Sequence, residues 1–217
     1  MGYVEDGALE QVTKAKNLPR VFLIGDSIRI GYCKTVRTRL EGKAEVLFPD
    51  DNCRFSQYIL TCLHGWKHMY DGESIDLVLF NSGHWDVAHW NGDEKPLNNV
   101  EVYAENIGRI IDMIRRLYPA AKVAFLTTTP MNPDGSQGVN PRTTEEIAVR
   151  NAAACAVCKQ KDTPVLDLFD YMKDWDSTMY RDYCHLTDKG FQLLGTYVAS
   201  FAERLLSENE RDRSCGK

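Results

Sequence analysis

The chain has no excess of charge of one sign, no long apolar run and no paired-cysteine pattern, and each absence removes a class of function. Lys and Arg number 26 against 31 Asp and Glu, for a net charge of −5. The charges are scattered and form no basic stripe, so no footprint for a phosphate backbone is present and nucleic acid is not an expected partner. A membrane-spanning helix needs roughly 20 apolar residues. The longest run, residues 152–158, is mostly alanine, so no membrane span is expected. The first residues, Met-Gly-Tyr-Val-Glu-Asp-Gly, carry acids where a secretory signal would be basic and then apolar. Cytoplasmic residence is the resulting expectation. Seven widely spaced cysteines are an odd number, which points to reduced thiols and away from a disulfide framework. Repeats, low-complexity tracts and Pro/Gly/Ser-rich linkers are also lacking, so one domain is expected, with its core at about residues 18–206.

What is present is an ordinary globular composition over 217 residues, 43% hydrophobic and 26% charged. Short β-branched or aromatic runs at 20–24, 44–48, 77–80, 123–127 and 165–168 read as strands. Between them lie segments of helical period. The clearest is 100–117, where Val100, Ala104, Ile107, Ile111, Ile114 and Leu117 recur at steps of three and four before Pro119. Others are 144–159, after a turn-rich loop at 130–141, and a last helix from Thr187, a candidate N-cap, to about Leu206. Nearly continuous apolar strands alternating with helices predict an α/β fold: a three-layer α/β/α sandwich around a mainly parallel five-stranded sheet. Ligands of such sheets bind at the carboxyl ends of the strands.

The first strand ends Phe22-Leu23-Ile24-Gly25-Asp26-Ser27-Ile28, and a helix with Ile30, Val36 and Leu40 as apolar positions is expected to follow. Ser27 therefore lies where backbone N–H groups and the positive end of a helix dipole converge, which favours negative charge developing on a substrate oxygen. A helix cap at Asp26 or Ser27 explains the same residues equally well. Neither Gly-x-Gly-x-x-Gly nor Gly-Lys-Ser/Thr follows the strand, so this turn is not read as a nucleotide site. The Gly-x-Ser-x-Gly elbow of α/β-hydrolases is absent from the chain.

Near the other end, Asp182 and His185 stand three apart just before the last helix. An acid on one ring nitrogen fixes the tautomer and leaves the other nitrogen to accept a serine proton. Capping by Asp182 and Thr187, with His185 on the surface, is the alternative. In a parallel sheet the last helix can return beside the first strand and deliver His185 to Ser27.

Gly25-Asp26-Ser27-Ile28 and Asp182-x-x-His185-Leu186-Thr187 resemble the first and last blocks of the SGNH (GDSL-type) hydrolases, and Ile147, Arg150, Asn151 and Ala154 are similar to that family's fourth helix. The resemblance implies a flavodoxin-like fold and a serine ester hydrolase with Ser27 as nucleophile, His185 as base and Asp182 as orienting acid. It also implies oxyanion donors, of which the Ser27 N–H carries over directly. After the second strand, residues 49–56 hold no glycine, leaving a backbone N–H near Arg54 as donor. After the third, Asn81-Ser82-Gly83-His84-Trp85-Asp86 matches Gly-x-Asn-Asp at Gly83 and Asp86, but Trp85 replaces the asparagine. Asn81, on the same side of an extended chain, is the expected substitute, with hydrogen bonding to neighbouring loops as the equal alternative.

Asp26, Gly83, Trp85 and Trp90 are expected to border the substrate, a small-molecule ester with acylated carbohydrates in range. His64 and His68 lack a third ligand, and Cys155-x-x-Cys158 falls inside a helix, so neither pair is read as a metal site. No metal or organic cofactor is expected. Oligomeric state is not encoded in any visible pattern. A glycan-binding protein of weak activity, or an acyltransferase using the same three residues, are the alternatives.

Overall fold

A computed structural model describes residues 18–69, 74–135, 138 and 140–215. The acidic N-terminal stretch lies outside them, as do positions 136, 137 and 139 of the 130–141 loop. Among the described residues five strands form one wholly parallel sheet in the order β2-β1-β3-β4-β5. They are β1 (Arg20–Ile24), β2 (Glu45–Leu47), β3 (Leu77–Phe80), β4 (Lys122–Leu126) and β5 (Val165–Leu166). Six α-helices among the described residues connect and follow them: α1 (Ser27–Arg39), α2 (Ser56–Met69), α3 (Val100–Leu117), α4 (Thr144–Gln160), α5 (Leu168–Met172) and α6 (Asp188–Cys215). Among the described residues no helix is long and apolar enough to cross a membrane.

Side chains alternate across a strand, and here both faces are covered, so each central strand feeds two cores. Val21, Leu23, Leu77 and Leu79 pack with α1 and α6, whereas Phe22, Ile24, Val78 and Phe80 pack with α2 and α3. This arrangement explains why the strands read as unbroken apolar runs. The most extensive helix–helix contact joins α1 to α6. It depends on two small residues: a Cβ at Gly31 would come within 2.1 Å of the Phe191 ring, and one at Gly195 within 2.7 Å of Thr35.

Local signals set the helix ends. Asn99 Oδ1 accepts the Val102 N–H at 2.9 Å, and Thr143 and Glu146 form a reciprocal capping box at α4. Thr187 Oγ1 accepts the Gly190 N–H at 3.3 Å, the cap anticipated for α6. Two readings are corrected. Residue 168 is helical, because Asp167 ends β5 and caps α5 through the Asp170 N–H at 3.0 Å. Ile30 is 44% exposed; the buried stripe of α1 is Ile28, Tyr32, Cys33 and Val36, so Ile30 faces away from the core.

Candidate active site

The turn from β1 into α1 answers both readings of its sequence. Asp26 is the N-cap, its Oδ1 accepting the Ile28 N–H at 3.0 Å, and the half-buried Ser27 is the first helical residue. His185 Nε2 lies 2.8 Å from Ser27 Oγ, and His185 Nδ1 lies 2.8 Å from Asp182 Oδ2. Residues 158 positions apart are thus joined in one hydrogen-bonded line. The Asp182 carboxylate is held further by the N–H groups of Cys184 (2.9 Å) and His185 (2.7 Å) on Oδ1. Burial pushes its pKa up, but these N–H groups and the imidazole outweigh burial and leave it below the ordinary carboxylate value. It is therefore an anion at neutral pH, suited to holding an N–H on Nδ1 and a lone pair on Nε2.

A buried polar layer supports this line. Asp26 is fully buried, and burial raises its pKa against the lowering effects of the Ile28 N–H, Asn81, Arg142 and Arg29. It cannot border a substrate as expected, because no part of it reaches the surface. Asn81 also differs from expectation. Its side chain is buried against Gly25, where a Cβ would stand 1.9 Å from Asn81 Oδ1, and it interacts with the Asp26 carboxyl beneath the turn. Gly83 is buried too, and a Cβ there would lie 2.0 Å from Thr128 Oγ1, so its smallness serves packing and not substrate contact.

The loop after β2 is fixed by Cys53 N–H donating to Gly25 O at 3.1 Å and by Arg29. Arg29 Nε donates to Gly25 O at 3.3 Å and its Nη2 to Asp51 O. The Arg54 N–H, expected to serve an oxyanion, instead donates to Asn52 Oδ1 at 2.9 Å. Asn52 is half-exposed, and its amide nitrogen makes no hydrogen bond to another described residue.

Asp86 shows what the loop after β3 does. Fully buried, it accepts the Ser56 N–H at 3.1 Å, the Ser56 hydroxyl at 2.5 Å, the Ser82 hydroxyl at 2.7 Å and Asn98 Nδ2 at 2.6 Å. The start of α2, the end of β3 and the approach to α3 are thereby tied to one carboxylate. Sequence reasoning matched Asp86 to a motif but did not find its partners. They are common polar residues at separations of up to 30 positions, and only the fold brings them together.

Around the rim, Trp85 and Trp90 are half-buried, with ring centroids 4.8 Å apart and Trp90 Nε1 donating to Trp85 O at 3.2 Å. Their loop is latched to the 130–141 loop and α4. His89 N–H donates to Pro141 O at 2.9 Å, and His89 Nε2 meets Glu146 Oε1 at 2.9 Å. His84, next to Trp85 in the chain, is buried with Nε2 2.9 Å from Thr129 Oγ1. Burial, then the positive Arg142 and then His185, depress its pKa far below the ordinary value, so it is neutral.

Comparison with known proteins agrees with this architecture. A 16% identical carbohydrate acetylesterase, Est24 from Sinorhizobium meliloti, superposes with a TM-score of 0.66 over 86% of this chain and 99% of its own. The aryl esterase of M. smegmatis, also 16% identical, gives 0.69 over 86% and 99%; at such identity both speak to the fold. A GDSL esterase/lipase of rice, Oryza sativa subsp. japonica, named WDL1, is 27% identical over 149 residues. That match spans 64% of this chain and 55% of the rice protein, so little more than half of the relative's length is represented. The model of the GDSL-like lipase/acylhydrolase family matches residues 23–193, from the strand before Ser27 to past His185, and the chain belongs to that family of ester hydrolases.

Proposed function

We propose that this protein is a serine esterase that deacylates small esters, acetylated carbohydrates first among them, through an acyl-enzyme. Ser27 Oγ attacks the ester carbonyl while His185 Nε2 takes its proton; His185 then protonates the departing alcohol, and water resolves the acyl-enzyme by the reverse proton path. Asp182 holds Nδ1–H and stabilises the imidazolium that forms between the two transfers. The Ser27 N–H, at the first position of α1 and without an intrahelical acceptor, faces the developing oxyanion. Asn52 is the second donor in this reading. What supports this is that Asn52 Oδ1 accepts the Arg54 N–H while the N–H of the adjacent Cys53 donates to Gly25 O, in the turn that carries Ser27.

The observation carrying the reading is the 2.8 Å separation of Ser27 Oγ and His185 Nε2. A binding module has no need to keep a hydroxyl, an imidazole and an anion in line. The carbohydrate preference rests on the half-buried Trp85 and Trp90, whose ring centroids are 4.8 Å apart, since paired aromatic rings suit the apolar faces of sugars, and the carbohydrate acetylesterase neighbour is consistent with it. Hydrolysis of p-nitrophenyl acetate by the wild type and by Ser27→Ala tests the reaction. A large loss in the variant is expected, and equal rates would remove the esterase reading. An acylated-sugar panel tests substrate class, and capture of the acyl group by an added sugar faster than by water would favour transfer over hydrolysis.

A further inference from the structure

We propose that Asp182, Cys184 and His185 form a site for one zinc-like divalent cation, and that its occupancy switches the hydrolytic centre off. The inference rests on the esterase reading for its consequence but not for its geometry. One carboxylate oxygen, one thiol sulfur and one ring nitrogen from the turn Asp182-Tyr183-Cys184-His185 all lie within 4.8 Å of one another. Cys184 Sγ is 3.8 Å from His185 Nδ1, and Nδ1 is 2.8 Å from Asp182 Oδ2. A tetrahedral ion with bonds of about 2.0–2.3 Å needs donors about 3.3–3.8 Å apart. The sulfur–nitrogen pair is already at that spacing, and the Asp182 side chain, 39% exposed, has room to retreat by the difference.

The donor set selects the metal class. Sulfur, imidazole and one carboxylate suit zinc and its softer relatives, whereas magnesium and calcium prefer all-oxygen shells. The turn is pre-folded, because Asp182 Oδ1 accepts the N–H groups of both Cys184 and His185. Arg142 Nη2 donates to Cys184 Sγ at 3.4 Å. That hydrogen bond strengthens when the sulfur becomes a thiolate, although the guanidinium charge opposes the incoming cation. Metal binding releases the thiol proton to solvent and shifts the imidazole proton from Nδ1 to Nε2. The resulting complex carries thiolate, carboxylate and neutral imidazole on the dication, with a fourth position for water. Nε2, now protonated, faces Ser27 Oγ as a donor and has no lone pair for the hydroxyl proton. The nucleophile is left unactivated.

The test titrates the full chain with Co²⁺, following thiolate-to-metal charge-transfer absorption, and measures p-nitrophenyl acetate hydrolysis against Zn²⁺, in wild type, Ser27→Ala and Cys184→Ser. Absorption is expected in wild type and in Ser27→Ala but not in Cys184→Ser. Loss of second-shell groups already costs 10–100-fold in metal affinity, so Cys184→Ser should need at least about tenfold more zinc for half-inhibition. Inhibition of each variant is referred to its own metal-free rate. Cys184→Ala repeats the comparison if a serine hydroxyl disturbs the buried position. Absorption that survives both substitutions, or equal inhibition of variant and wild type, would overturn the site. Cysteine-dependent absorption in a chain that never hydrolyses the ester would instead support the site and remove the esterase reading.

Discussion

Replacing Asp86 with alanine should unsettle the whole site although the residue touches no substrate. The carboxylate is fully buried and accepts two donors from Ser56, one from Ser82 and one from Asn98. Once it is gone, the Ser56 hydroxyl can turn to Gln57 Oε1, already 3.3 Å away. The Ser82 hydroxyl is likewise free to rotate, whereas the Ser56 N–H and the Asn98 amide proton aimed at Asp86 are fixed in direction, the other Asn98 amide proton being held by Gln57 Oε1 at 2.7 Å. Two buried donors left unpaired cost about 1–3 kcal/mol each, and the charge-assisted bonds they lose make the upper half of that range the better guide. A net loss of about 3–6 kcal/mol follows, which for a chain of this length lowers Tm by about 6–24 °C. Differential scanning calorimetry measures it directly. Asp86→Asn, which keeps one acceptor oxygen, should fall between the wild type and the alanine variant. A Tm within about 2 °C of wild type for Asp86→Ala would refute the claim that this carboxylate ties the three segments together.

Asp182→Asn should lower kcat by about 10³–10⁴ with little change in KM, because the amide presents the wrong partner to Nδ1–H and releases the tautomer; steady-state kinetics on p-nitrophenyl acetate reads this. Asn52→Ala should lower kcat by about 10²-fold if its amide meets the oxyanion, and an unchanged rate would remove it from that role. Gly31→Ala should destabilise the fold by about 1–3 kcal/mol through the Phe191 ring, and a smaller side chain at 191 should recover part of that loss in the double variant. The His89–Glu146 pair gives a pH signature. The Glu146 hydrogen bond raises the His89 pKa, so the contribution of His89 is complete below its ordinary value and lost as pH rises through the raised one. Burial raises the Glu146 pKa, but His89 and Thr143 outweigh it and leave it lowered, so its contribution holds above the ordinary carboxylate value and is lost as pH falls through the lowered one. His89→Ala should therefore flatten the fall in Tm between mildly acidic and alkaline buffer.

The parts of the site that were legible in the sequence are those written by local spacing. Ser27 follows an apolar strand and opens a helix, and Asp182 and His185 are three apart before another; each fragment has a meaning before the fold is known. The parallel sheet was legible for a similar reason, since strands buried on both faces carry apolar residues at every position. Asn81 was misplaced because its neighbours across the fold decide what it bonds, and Arg54 because a local turn contact with Asn52, two residues back, went unread. Gly25 and Asp26 lie beside Asn81, and Asn52 takes the Arg54 N–H. Asp26 looked available in the sequence because a turn is usually wet, yet it is fully buried, with Asn81 hydrogen-bonded to it and the charges of Arg29 and Arg142 acting on it. Ile30 was assigned inward on periodicity alone, and the register of α1 against α6 turned it out.

The seat of α1 on α6 has an evolutionary consequence. Ser27 opens one of these helices and His185 stands just ahead of the other, so the distance between them is fixed by two rods locked at Gly31 and Gly195 and not by the segments that rim the cleft. Insertions, deletions or wholesale exchange of the tryptophan-bearing rim would alter what enters while sparing the reactive spacing. A lineage built this way can explore new diets by editing its borders, and a protein engineer can graft foreign borders onto the same chassis.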